Sequence, residues 1–359
     1  MVHESVLSCL PHAECYFAAC NTPDGFASLF ADIFSPRVLS RIFILKGGPG
    51  TGKSSMMRQI AKAAEEKGHR VTYYYCSSDT DSLDGIVIRD IGTAVLDGTA
   101  PHMTDPLYPG AVEQIVNLGQ FFDVPQLRYH REQIARYGKL QKKLYQRVYT
   151  YLKNADNCMQ ICRQICAQAF LQEKAQGAVE RLLRKIPHSG EPVYEKAYVT
   201  AIGTKGIVHF ETFDRMAEKK IYVINGHGGE ALLFSLLEKS LKKKGISHTR
   251  LIAPENPNGA EGFWLPQAKL LIRLHRGETI CAEDKTLNME RFYCSEMLRE
   301  EKAALRQSRG EAVRARALAL GLLAQIADVH TRLEAIYIAA MDFSGVQQNT
   351  EDLIKALPL

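Results

Sequence analysis

The stretch Gly47-Gly48-Pro49-Gly50-Thr51-Gly52-Lys53-Ser54 constrains this chain more than any other. Its spacing is G-x-x-x-x-G-K-[ST], the Walker A phosphate loop. The apolar run Arg41-Ile42-Phe43-Ile44-Leu45 precedes it and reads as a buried strand. The segment after it, Ser54 to Lys67, sets Met56, Ile60 and Ala64 at helical spacing and stops at Gly68. Strand, glycine loop and helix in that order give the motif its physical meaning. Glycines let successive N–H groups turn inward to phosphate oxygens. The helix N-terminus adds partial positive charge. Gly47, Gly48, Pro49, Gly50, Thr51, Gly52, Lys53, Ser54 and Ser55 are the expected phosphate contacts. Lys53 is expected to reach the β- and γ-phosphates, and the Ser54 hydroxyl to ligate Mg²⁺.

A doubly wound sheet collects its ligands beyond the carboxyl ends of parallel strands. Tyr16–Cys20 reads as a strand, and Phe26–Phe34 as a short amphipathic helix. Val71–Cys76 is β-branched and aromatic and reads as a second parallel strand. Thr93–Leu96 reads as a third, ending at Asp97-Gly98. Asp97 therefore stands where a Walker B aspartate holds Mg²⁺, although Asp-Gly also closes strands as a plain turn. Asp79, Asp81 and Asp84 follow the second strand. Any of the three could position water or touch the nucleotide, with Asp79 and Asp81 first for the water and helix capping as the plain alternative. His102 is a candidate substrate contact or a turn residue.

From about 111 to 186 the pattern is helical, with Ile134, Tyr137, Leu140, Leu144, Val148 and Tyr151 in register. It reads as a long arm or hairpin. Cys158, Cys162 and Cys166 line one face, as small buried hydrophobes rather than metal ligands. Pro187–Pro192 reads as a linker.

Past the linker the chain begins again. Lys220-Ile221-Tyr222-Val223-Ile224-Asn225-Gly226 matches Arg41 to Gly47, and Gly245 matches Gly68. The expected units are 1–187, with its arm, and 193–359, with a second arm over about 292–341. The chemistry is not repeated. Gly52-Lys53-Ser54 aligns with Ala231-Leu232-Leu233, and Asp97 with Leu274, so the second half reads as a degenerate, non-hydrolysing copy. Trp264, the only tryptophan, reads as core packing or as part of an altered pocket.

A net charge of +5 permits an anionic ligand without requiring nucleic acid, which is not expected as a partner. The longest apolar run, near 317–327, is broken by Gly321 and Gln325, so no membrane span is expected. Met1–Ser5 lacks a basic region before an apolar core, so no secretion signal is expected. Nine cysteines without C-x-x-C spacing suit a reduced, cytoplasmic protein.

Three further stretches carry a resemblance. They are Phe17-Ala18-Ala19 with Thr22-Pro23-Asp24-Gly25-Phe26, Cys76 to Gly85, and Leu96 to His102. With Ile42 to Ser54 they resemble a tandem P-loop ATPase family of spore-forming Firmicutes. In that family both halves carry a phosphate loop, and this chain departs in the second. The resemblance implies ATP binding and names no substrate.

The expected fold is therefore α/β, two tandem P-loop NTPase-like parallel-sheet domains, each with a helical arm. The expected function is Mg²⁺-dependent binding and hydrolysis of ATP or GTP in the first half. Phosphoryl transfer to a small molecule or nucleotide, and a nucleotide-gated assembly protein with negligible turnover, are the alternatives. The arms are the expected surface for a protein partner, and a homo-oligomer is compatible with the sequence. An AAA+ motor is disfavoured, because Leu96-Asp97-Gly98 lacks the Asp-Glu pair.

Overall fold

The structure, a computed structural model, describes residues 4–6, 13–101, 103–188 and 190–359. His102 and one linker residue, Ser189, lie outside the described residues.

Two six-stranded sheets carry the fold. The first is built from β1 (Glu14–Phe17), β2 (Arg41–Lys46), β3 (Val71–Tyr75), β4 (Leu83–Ile88), β5 (Thr93–Asp97) and β6 (Glu113–Asn117), in the order β1-β3-β4-β5-β2-β6. The second uses β7 (Tyr194–Ala197), β8 (Lys219–Ile224), β9 (His248–Ala253), β10 (Asn256–Leu265), β11 (Leu270–Leu274) and β12 (Lys285–Asn288), in the order β7-β9-β10-β11-β8-β12. The two orders are the same strand for strand, so the repeat seen in sequence is a repeat of topology.

Neither sheet is wholly parallel, which corrects the sequence expectation. β4 runs antiparallel to β3 and β5, and β10 to β9 and β11. The reason is the length of the connections. Parallel neighbours need a crossover of a dozen or more residues. Only residues 76–82 separate β3 from β4, and only 89–92 separate β4 from β5. The chain can only fold straight back.

A second correction concerns the segment before the phosphate loop. Ala19–Thr22 and Gly25–Ser28 form a hairpin, and helix is confined to Phe30–Ile33. Pro23-Asp24 forms the turn, and Gly25, directly after it, takes φ +107°, a left-handed conformation that glycine adopts without strain. Thr200–Gly203 and Gly206–His209 repeat the hairpin in the second half.

The main helices repeat as well: α1 (Lys53–Glu66), α2 (Arg131–Ala169), α3 (Gln172–Leu183), α4 (Glu230–Lys243), α5 (Lys302–Ala339) and α6 (Phe343–Ala356). α2 and α5 are not separate arms. They pack antiparallel, with Gln141 opposite His330 near one end and Cys162 opposite Leu305 near the other. At 39 and 38 residues each helix spans about 57 Å. Leu144, Val148 and Leu152 of α2 meet Leu323, Ile326 and Val329 of α5 over Ile202 and Ile207.

The helices that follow are exchanged. α3, from the first half, lays Ala175, Val179 and Leu183 into the core of the second sheet against α4. α6, from the second half, lays Val346 and Leu353 into the core of the first sheet against α1. Units 1–187 and 193–359 therefore each complete the other's core. Trp264 sits in β10, buried and stacked on Phe213 at 5.8 Å, within a core shared with Ile42 and Leu96. Its role is packing. Among the described residues no helix is long and apolar enough to cross a membrane. Among the same residues seven cysteines are free thiols and Cys15 is disulfide-bonded, which departs from the all-reduced expectation at that position.

Candidate phosphate-binding site

The loop Gly47–Gly52 leaves the carboxyl end of β2 and opens α1. β2 is buried on both faces from Ile42 to Leu45, which fixes the point from which the loop starts. α1 is fixed by Met56, Met57, Ile60, Ala61 and Ala64, all buried in the core beneath. Gly50 and Gly52 hold φ +68° and +85°, where a side chain would be strained. The Thr51 hydroxyl donates to the Gly48 carbonyl at 2.9 Å and tightens the turn.

Lys53 is the first residue of α1 and is buried. Its ammonium donates to the carbonyls of Gly48 at 2.7 Å and Gly47 at 3.2 Å. It also faces the Asp97 carboxylate at 3.6 Å. Asp97 ends β5 beside β2, paired with Leu45. Its Oδ1 accepts from the Thr99 N–H at 2.8 Å and the Thr99 hydroxyl at 2.5 Å, leaving Oδ2 towards Lys53. Ser54 Oγ accepts from the Leu83 N–H at 3.1 Å. Lys53, Ser54 and Asp97 thus converge at the end of the sheet.

The other candidate carboxylates are engaged elsewhere. Asp79 accepts from the Ser82 hydroxyl at 2.5 Å and the Asp81 N–H at 3.2 Å, closing its own turn. Asp81 is exposed and pairs with Lys205 of the second half at 2.6 Å. Asp84 is buried within β4. Cys76 beside it is half-buried, and desolvation pushes its thiol well above the ordinary range.

The second loop, Asn225–Gly229, is five residues long against six for Gly47–Gly52. The difference changes the alignment read from sequence. Glu230 is the first residue of α4, as Lys53 is of α1, and Ala231 takes the place of Ser54. The lysine is therefore replaced by an acid. Its Oε1 accepts from the Gly228 N–H at 3.3 Å, so a carboxylate of the chain already holds that amide. Leu274 ends β11 opposite Val223, as Asp97 ends β5 opposite Leu45. Tyr293 donates to the Gly226 carbonyl at 2.9 Å. Cys166 packs against Gly229, and burial pushes its thiol up to about 11. Cys162 and Cys166 are wall residues of this loop, and the described residues hold no cluster of three His, Cys, Asp or Glu side chains suited to a metal ion.

Sequence reasoning could not see what borders the first loop. A Cβ on Gly48 would lie 2.8 Å from the Tyr337 ring, and one on Gly50 would lie 2.7 Å from Ile338 and 2.8 Å from Glu334. These residues close α5, nearly three hundred positions away, and no local spacing signals them.

The profile of the family described as Nephrocystin 3, N-terminal, matches residues 28–88, a segment that holds β2, the loop, α1, β3 and β4. No curated protein and no solved structure matches the chain.

Proposed function

We propose that the first half binds a nucleoside triphosphate, ATP before GTP, together with Mg²⁺, and hydrolyses it. The second half is a non-hydrolysing copy that holds the first in shape. One observation carries this reading. Lys53, on a glycine loop at a helix N-terminus, rests on the carbonyls of Gly47 and Gly48 with Asp97 3.6 Å away. Those carbonyls stand in for the phosphate oxygens that the ammonium would take up.

The donor set suits a hard cation held with the phosphates. Ser54 and Asp97 offer one hydroxyl and one carboxylate oxygen, too few to hold Mg²⁺ without the nucleotide. Bound there, Mg²⁺ would offset charge that develops on the phosphate oxygens. Lys53 neutralises the terminal phosphates, the loop amides orient them, and the Thr99 contacts keep Asp97 aimed at the site. A cytoplasmic location and a protein partner on the paired helices belong to the same proposal.

The test is binding and turnover of Mg·ATP and Mg·GTP by wild type and Lys53→Ala. Losing one charge-assisted contact is worth about 1.5–3 kcal/mol, so binding is expected to weaken roughly 10- to 150-fold. Turnover is expected to fall with it. Wild-type protein that binds neither nucleotide at millimolar concentration would overturn the proposal.

A further inference from the structure

The phosphate loop is bordered by the second half of the chain. The last turns of α5 lie along it, with Tyr337 against Gly48 and with Glu334 and Ile338 against Gly50. This end of α5 is anchored to the first half. Asp123 N–H donates to the Ala340 carbonyl at 2.8 Å, Asp342 N–H to the Phe121 carbonyl at 2.9 Å, and Phe122 packs on the Tyr337 ring at 5.7 Å. The contact is therefore a built wall.

Glu334 is the carboxylate of that wall. It is half-buried, and among the described residues its side chain makes no hydrogen bond and no ion pair. Three of the carboxylates that the sequence offers for the same task are committed, and the fourth, Asp84, is buried within β4. Asp79 closes a turn, Asp81 pairs with Lys205, and Asp97 faces Lys53. The position also fits the chemistry. Lys53 reaches towards the terminal phosphates, and its ammonium lies on Gly48. Glu334 stands two residues further along the same loop.

The second half provides a comparison within one molecule. There α2 lines the degenerate loop, and the residues it sets against Gly228 and Gly229 are Met159, Cys162 and Cys166. The wall against the intact loop sets an unpaired carboxylate beside Gly50, whereas the α2 carboxylate near the loop that lost its lysine, Asp156, is paired with Arg163.

We propose that Glu334 is the general base of the first-half site, so that the second half completes the catalytic centre. The inference rests on the hydrolysis reading above. Water oxygen bonds to the γ-phosphorus as the bond from that phosphorus to the β,γ-bridging oxygen breaks. The electron pair leaves on the nucleoside diphosphate. The water proton passes to the Glu334 carboxylate and from there to solvent.

The experiment uses the full chain as wild type, Glu334→Gln and Glu334→Asp. It measures binding of Mg·ATP, the kcat–pH profile and thermal stability. Glutamine keeps size and hydrogen bonding but cannot accept the proton. Binding by Glu334→Gln is expected within about threefold of wild type, with turnover lower by roughly 10²- to 10⁴-fold. The acid limb of the wild-type kcat profile is expected to vanish in what remains. Glu334→Asp is expected to recover part of the rate. If wild type turns over and Glu334→Gln keeps its rate within threefold, the inference falls and the hydrolysis reading stands. If Glu334→Gln folds normally but loses binding and rate together, Glu334 is a binding residue and the inference falls. If wild type binds but does not turn over, the hydrolysis reading itself falls.

Discussion

Gly98 follows the aspartate that ends β5, and it has no room for a side chain. A Cβ there would lie 2.3 Å from Ile44 Cγ2, inside the buried core of β2. Ile44 is β-branched and cannot swing aside cheaply. Gly98→Ala is therefore expected to cost about 1–3 kcal/mol in unfolding free energy and to displace Asp97. Mg²⁺-dependent nucleotide binding is expected to weaken with it, and an unchanged denaturation midpoint would sink the argument. A second residue, His209, couples the fold to pH. It is buried, its Nδ1 has no hydrogen-bond partner among the described residues, and burial, then Arg276 and Arg273, lower its pKa to about 4. The unfolded chain takes up a proton near pH 6.5 and the folded chain only near 4. Stability is therefore full above about pH 6.5 and is lost as pH falls towards 4. A gap of that size between the folded and unfolded chain corresponds to a loss approaching about 3 kcal/mol. His209→Gln is expected to flatten this pH dependence in denaturant titrations at about pH 7 and about pH 4.5, on either side of most of that change. An equal loss in wild type and variant would refute the assignment.

At the scale of elements, α6 binds the two halves into one fold. Its N–H groups at Ser344 and Gly345 are capped by Asp342, and its buried face carries Val346 and Leu353 onto α1. Arg41 of β2 donates to the Ala356 carbonyl at 3.0 Å, and Gln59 to Gln347 at 3.1 Å. Leu353→Ala is expected to cost about 2–5 kcal/mol. The loss should appear as reduced hydrogen-exchange protection in α1. Unchanged α1 protection would contradict the packing. The elements also separate what the sequence can carry from what it cannot. β2, the loop, α1, β3 and β5 are legible because local signals specify them: apolar runs, a glycine spacing and helical periodicity. β4 is not, because Leu83-Asp84-Gly85 looks like the end of a polar turn. Gly85 is in fact required by packing, since a Cβ there would lie 2.4 Å from the Phe34 ring. The alignment of the second loop slips by two positions, one in the strand, where Ile224 rather than Asn225 takes the place of Lys46, and one in the shorter loop, and the first residue of α4 shows that Glu230 replaces Lys53. Glu334 and Tyr337 carry no signal at all, because their proximity to the loop is made by the crossing of α2 and α5.

For the whole molecule, the exchange of α3 and α6 means that neither half holds a complete core. Residues 1–187 alone would lack Val346 and Leu353 and would expose Ala175, Val179 and Leu183. That fragment is expected to unfold without a cooperative transition at the intact protein's midpoint. Co-expression with 188–359 is expected to restore it. A fragment that melts cooperatively at the full-length midpoint would show that the exchanged helices are dispensable. The same arrangement explains how the two loops can come to differ in sequence. Two identical chains that swapped such helices would carry every loop substitution twice, once in each site. Here both copies lie on one chain, so a glutamate stands at position 230 while a lysine stands at position 53. Covalent linkage turns a two-fold pair into two positions that inherit changes separately. One of them is free to become a part of the other's machinery.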